Sequence, residues 1–436
     1  MIKKLGIVAI LVTMMLGCNN KGLEKQEYSK EKYDYITELK NSRRIVIKDG
    51  KQGVLDEKNR EIIPIDYEFV NIIDNKILTI KDKKMNIKDL KGKSILSKEY
   101  DYIFPKDELF LVGKAGKYGL LDSKEKMLVE PQYDRIGKFV EGLAVVQKDG
   151  KFGVIDKIGK EVVPTKYFYI KDFSNGMALV ITEDMKGGFI NSQGKEEIPF
   201  IYNYTEDFKG ESTLVILDKK FGVIDKKGNY IIPLQEGRIN YVGENLYSVK
   251  SGDKFYLTDT SNKRIVESGF DSIGILKEGV IVVKCAEKFG YIDKQGEVVI
   301  PLEYDEIGEV EEDRILAKDN KTGKFGLLDT KNTFVVNPQY DYISDRKGEF
   351  LIVGNSEAKE GIINKDGKIV LPLEYENLIF RSGKAVQGTK DGINKIIVLT
   401  KNSGKELDLD IKNIISLGEN EIITQEDKKI IVYKID

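Results

Sequence analysis

One unit of about 34 residues recurs along most of this chain, and that recurrence limits the fold more than any other feature. It is clearest at Lys151-Phe152-Gly153-Val154-Ile155-Asp156-Lys157-Ile158-Gly159, which leads on to Pro164. It returns from Lys220-Phe221-Gly222 through Asp225 to Pro233, and from Lys288-Phe289-Gly290 through Asp293 to Pro301. Aligned on the glycine, the copies give Gly53, Gly119, Gly153, Gly188, Gly222, Gly290, Gly326 and Gly361, while Asn86, Tyr256 and Ile397 fill the degenerate copies. Successive members lie 33 to 36 residues apart. Eight of the nine prolines keep step, eleven or twelve residues behind their glycine, and only Pro105 does not. A repeat of this length is a single supersecondary unit that cannot bury its apolar face alone, so neighbouring copies must stack.

The local chemistry within the unit is that of β-hairpins. Asp56, Asp89, Asp122, Asp156, Asn191, Asp225, Asp259, Asp293, Asp329 and Asn364 each open a four-residue turn, which Gly or Asn usually closes. That pairing predicts a type I turn followed by a left-handed residue, as in a hairpin with a bulge. Short β-rich runs flank it, such as Gly153-Val154-Ile155 and Glu161-Val162-Val163, and Asp149-Gly150 marks a second hairpin. The proline is expected to end strand pairing. Most units then carry an aromatic and an acidic residue, as at Tyr133-Asp134, Tyr304-Asp305 and Tyr340-Asp341. Each unit therefore reads as three or four short antiparallel strands, with the aromatic before the glycine as a buried anchor and the glycine allowing close backbone approach.

With these columns in view, the unit resembles the WG (KWG) repeat, found in many bacterial and often exported proteins. That repeat has Trp-Gly, an aliphatic pair, Asp, a turn, Pro and Tyr-Asp. Here Phe152, Phe221, Phe289, Phe325 and Tyr118 stand in the tryptophan column, since the chain has no tryptophan. The expected fold is all-β: tandem modules of three to four antiparallel strands forming a propeller-like β-superhelix, with two closed β-propellers as the alternative. Around twelve units exceed the four to eight blades usual in one propeller.

The first residues read as an address. Met1-Ile2-Lys3-Lys4 precedes an apolar run from Leu5 to Leu16, too short for a permanent bilayer-spanning helix. Met15-Leu16-Gly17-Cys18 resembles the lipobox of bacterial lipoproteins. The expected organisation is a lipoprotein signal peptide over 1–17, a polar tether over 18–31 and the repeat array over 32–436. Lipid on Cys18 would hold the chain to the membrane of the bacterial cell envelope, at the outer membrane or cell surface.

Composition narrows the chemistry. The chain has no histidine, which removes the commonest general base and zinc ligand, and Cys18 and Cys285 are its only cysteines. Neither a metal site nor a cofactor is expected. Seventy basic and 72 acidic residues are interspersed, without the basic stripe that nucleic acid would require. The array is expected to be non-catalytic and to bind a protein or glycan. The most plausible contact residues are Tyr167, Tyr169, Tyr202 and Tyr204. A scaffold in envelope or outer-membrane protein assembly is the alternative. A carboxylate-dependent glycosidase, which needs no histidine, is a further alternative and would have to show a pair of carboxylates outside the repeat columns, since the repeated turns account for nearly every Asp in them.

Overall fold

In a computed structural model, residues 24–407, 409 and 411–435 are described, so the expected signal peptide and Cys18 lie outside the described residues. Residues 135–167 show how the repeat folds. Strands Arg135–Val140, Leu143–Lys148, Lys151–Asp156 and Glu161–Tyr167 pair antiparallel in chain order as an up-and-down sheet. The turn between the last two follows from Asp156, whose carboxylate accepts the N–H of Ile158 at 3.0 Å and of Lys160 at 2.8 Å. Gly159 closes that turn at φ +85°. All ten Asp and Asn residues of the turn column make the same pair of bonds, to the second and fourth residues after them.

The glycine column has a steric cause. A Cβ at Gly153 would lie 2.6 Å from the carbonyl oxygen of Val163 on the next strand. That approach is forced by the proline, and here the structure departs from the expected strand end. Val154 faces Val163, the ladder then bulges across Pro164, and pairing resumes with Phe152 opposite Tyr167. Proline has no N–H to contribute, so the bulge leaves it where the ladder needs none. The pattern recurs at Pro233 and Pro301, beside Gly222 and Gly290.

Twelve such modules are present among the described residues: 35–67, 69–100, 103–133, 135–167, 169–202, 204–235, 239–270, 272–304, 307–340, 342–375, 376–407, and a last one formed from both ends of the chain. They are called modules 1 to 12 below. Modules 2 and 7 have three regular strands, and isolated bridges Met85–Tyr100 and Phe255–Phe270 mark their fourth edge. Modules 10 and 11 share the strand Ile369–Phe380, which runs through both.

Module 12 decides the architecture. Its first three strands are Ile414–Leu417, Glu421–Gln425 and Lys429–Lys434, and its fourth is Lys25–Ser29 from the opposite end of the chain. The expected tether over 18–31 is thus corrected: its last part is an outer strand. Tyr28 faces Ile430 there as Tyr167 faces Phe152 in module 4. Twelve apolar clusters lie among the described residues, and each draws on two successive modules; one of them joins module 12 back to module 1. An array with free ends would have one junction fewer than modules. The propeller-like run of β-modules is therefore continuous and joined to its own start.

A buried ion pair seals that junction. Arg44 of module 1 is 1% exposed and bonds both carboxylate oxygens of Glu421 of module 12, at 2.8 and 3.0 Å. The same guanidinium donates to the Thr37 carbonyl and lies over the Tyr28 ring. Glu421 also accepts the N–H of Leu39 at 3.2 Å.

Candidate functional site

Recurring polar side chains of the repeat hold the modules in shape. In six modules the lysine at, or one residue before, the start of the third strand pairs with an acid 17 residues later: Lys84–Asp101, Lys117–Asp134, Lys254–Asp271, Lys288–Asp305, Lys324–Asp341 and Lys359–Glu376. Asp134 shows the second task of this acid, accepting the N–H of Asp149 at 2.7 Å within the adjoining hairpin turn. The Lys117 ammonium, then that N–H, hold the Asp134 carboxyl below the usual carboxylate range. Tyrosine hydroxyls reach across to the turn of the next module, as Tyr28 does to Asn59 at 2.8 Å and Tyr304 to Asn332 at 3.3 Å.

Modules 4 to 6 lack this acid. The residue 17 positions after Lys151 is Phe168, an exposed aromatic in place of the acid, and Asn203 holds the corresponding place in module 5. The structure divides the four candidate tyrosines into two kinds. Tyr202 is 3% exposed and packs between modules 5 and 6, where burial, followed by Tyr230, pushes its hydroxyl pKa up. Tyr167 is half-buried, edge-on to Phe200 at 5.7 Å, with Lys166 over its ring. Tyr169 and Tyr204, by contrast, are 38% and 52% exposed. Each opens the first strand of its module, two residues beyond the packed tyrosine. Ile201 is exposed as well, so Phe168, Tyr169, Ile201 and Tyr204 put apolar surface into solvent at successive junctions.

The anchor residues keep to the packing role that their columns suggest. Phe152 packs at the junction of modules 4 and 5, and Phe221 at that of modules 6 and 7. Phe289 faces Tyr304 across its sheet, with Lys284 over the ring. Asp225 and Asp293 cap their turns as Asp156 does. Cys285 is a half-buried free thiol at the end of the strand Val280–Cys285.

Several concavities of about 470 to 940 Å³ lie among the described residues, and two of them sit at junctions discussed above. The larger, about 940 Å³, follows the junction of modules 12 and 1 and is lined by Tyr35, Glu38, Ser416, Glu419, Asn420 and Glu421. Of its carboxylates, Glu421 is committed to Arg44, and Glu38 accepts the Ser416 hydroxyl. The other, about 470 Å³, lies between modules 4 and 5, where Tyr169 meets Phe152 edge-on at 5.4 Å. Among the described residues no cluster of three or more His, Cys, Asp or Glu is arranged to hold a metal ion. No described helix is long and apolar enough to cross a membrane.

The family model described as WG containing repeat matches seven segments: 118–152, 152–184, 188–220, 221–255, 289–322, 325–353 and 361–386. Together they cover just over half of the 436 residues. The chain belongs to the WG-repeat family. No curated protein matches it by sequence. Among solved structures, the WG-repeat chain is similar to BamB from Moraxella catarrhalis, at 13% identity over 76% of this chain and 96% of that one, with a TM-score of 0.25. It is also similar to PorZ, a surface component of the type-IX secretion system of Porphyromonas gingivalis, at 12% identity over 84% of this chain and 62% of that one, with a TM-score of 0.21. A third match is the extracellular domain of a one-component system of B. thetaiotaomicron, at 10% identity over 91% of this chain and 75% of that one, with a TM-score of 0.22. These superpositions are loose, and the fold assignment rests on strand order and register.

Within this WG-repeat chain, the lysine column and its partner acid were not paired by sequence reasoning. The constant separation of 17 residues is the signal that identifies them.

Proposed function

We propose that this WG-repeat protein is a non-catalytic binding protein of the bacterial cell envelope, held to the membrane through lipid on Cys18 and engaging a protein or glycan through modules 4 to 6. One observation carries the reading. Where six other modules place a structural acid, module 4 exposes Phe168, and Tyr169, Ile201 and Tyr204 are exposed at the same junction and the next. Exposed aromatics that depart from a repeat's own structural pattern are the positions at which such arrays acquire specificity. The membrane part of the proposal rests on the lipobox-like Leu16-Gly17-Cys18.

A photo-crosslinking residue at Tyr204, compared with one at the equivalent Ser272 of module 8, tests the face. A discrete adduct from intact cells at 204 and none at 272 supports it, and equal labelling at both removes it. Fractionation of Cys18→Ser tests the anchor, which is refuted if the variant stays in the membrane fraction. An adduct protected from external protease, and consisting of outer-membrane assembly components, would favour the scaffold role instead.

A further inference from the structure

The cleft between modules 4 and 5 differs from the corresponding places of modules 1, 5, 6 and 8. Across the first three strands of module 4, Arg135 faces Gln147 and Gln147 faces Phe152, so these side chains form one row on one face of the sheet. Tyr169 of module 5 closes the row by meeting Phe152 edge-on. Lys138 lies in the bulge between Ile136 and Phe139, a feature that re-aims side chains, and it lines the same cleft with Lys171 and Asp172.

By strand register, the place of Arg135 is held by Tyr35 in module 1, Tyr169 in module 5, Tyr204 in module 6 and Ser272 in module 8. Three residues on, where module 4 has Lys138, those modules have Glu38, Asp172, Asp207 and Ile275. Of these five modules, only module 4 sets two cations together. Both are exposed, and neither side chain makes an ion pair or hydrogen bond among the described residues. Lys171, which lines the same cleft, bonds Asp207 at 2.6 Å. Asp172 is the one acid lining the cleft. Lys106 of module 3 adds to the local positive field, and burial holds its ammonium below the usual lysine range.

We propose that this cleft binds a carboxylate-bearing saccharide. The inference rests on the reading of modules 4 to 6 as the binding face and names the ligand class. Arg135 donates a two-pronged pair of hydrogen bonds to the carboxylate, the geometry that suits a guanidinium. Lys138 supplies the second charge. Tyr169 offers its ring to the apolar face of the sugar, and Gln147 bonds a hydroxyl. A volume of about 470 Å³ accommodates one to two sugar rings, within the usual range of small-ligand sites.

Calorimetric titration of the full chain tests this with five probes: a glucuronic-acid-terminated trisaccharide, its methyl ester, the glucose-terminated analogue, glucose 6-phosphate and inorganic phosphate. The uronate is expected to bind, with its ester and the neutral analogue weaker by roughly tenfold or more, the scale of a charge-assisted bond. Arg135→Gln and Lys138→Gln should each weaken uronate binding by roughly tenfold and leave the neutral analogue unchanged. Tyr169→Ala should weaken both sugars alike. All three positions are exposed, and an unchanged melting temperature verifies that each variant folds. The proposal is overturned if the uronate does not bind, if Arg135→Gln leaves its affinity intact, or if phosphate and glucose 6-phosphate bind as well as the uronate. Should it fail while the 204 crosslink persists, the binding face stands and the ligand class is wrong. Loss of the crosslink as well takes down both.

Discussion

One buried ion pair lies at the closing junction, and replacing Glu421 by Gln tests what it contributes there. The substitution keeps the side chain's shape and removes its charge, leaving the Arg44 guanidinium buried opposite a neutral amide. Arg44 is 1% exposed, so water cannot take over the lost interaction. Breaking one half of a buried pair typically costs about 3–5 kcal/mol, because the remaining charge stays desolvated. The loss should be local, since a repeat array opens by its weakest junction rather than all at once. The fourth strand of module 12, Lys25–Ser29, has the fewest alternatives: it is short, and on its inner side it pairs only with Lys429–Lys434. Hydrogen exchange followed by peptide is the suitable assay. Amides of both strands should exchange faster by roughly two to three and a half orders of magnitude, at tenfold per 1.4 kcal/mol. Modules 5 to 8, on the far side, should be unchanged. Pairing Glu421→Leu with Arg44→Met should restore most of the protection, since neither charge then remains buried. Acceleration below about fivefold (1 kcal/mol) in Glu421→Gln, or acceleration spread evenly around the array, would refute the reasoning.

Three further outcomes follow from the repeat itself. Gly153→Ala places a Cβ 2.6 Å from the Val163 carbonyl oxygen and should destabilise module 4 by about 1–3 kcal/mol; a shift in the denaturation midpoint under 0.5 kcal/mol would contradict the close-approach account. Asp156→Ala removes two hydrogen bonds to backbone N–H groups and should cost about 1–2 kcal/mol, while Asp156→Asn, the residue used at 191 and 364, should cost less than half of that in the same unfolding experiment. Burial, with a hydrogen bond to Glu125 for Tyr100 and to Glu360 for Tyr342, pushes both hydroxyls up to about 12. A folded-state value raised above the unfolded value of about 10 means this stabilisation is whole below pH 10 and is lost between pH 10 and 12. Spectrophotometric titration at 295 nm should therefore show tyrosines ionising well above pH 10 in the native protein, and one uniform midpoint near 10 would disprove it.

How much of this was legible in the sequence depended on distance along the chain. The Asp156 turn, Gly159 at its end and the hairpin at Asp149-Gly150 are interactions over two to four residues, and each was read correctly from residue type. The close approach at Gly153 was read as a steric demand but not its source, since only the register shows that the bulge at Pro164 brings Val163 onto it. The proline was read as a strand end because it cannot donate to a ladder; the structure satisfies that constraint with a bulge and lets the strand resume. Among the candidate contacts, Tyr167, Tyr169, Tyr202 and Tyr204 are alike in type and spacing. Exposure separates them by whether a ring falls at the end of one module's last strand or at the start of the next one's first. The basic row of Arg135 and Lys138 carried no signal by itself, because it takes strand register to align those two residues with Gln147, Phe152 and the neighbouring Tyr169.

The period, the turns, the hairpins and the family were set by the sequence alone, because each depends on contacts inside one unit of about 34 residues that the chain repeats many times over. Closure was settled only by tertiary structure. Lys25-Gln26-Glu27-Tyr28-Ser29 is charged and short, and by composition it reads as a linker. It becomes a strand because Lys429–Lys434 presents an unpaired edge to it, with Glu421 and Arg44 meeting across the same junction. Those partners lie about 400 residues away, beyond the reach of any local pattern.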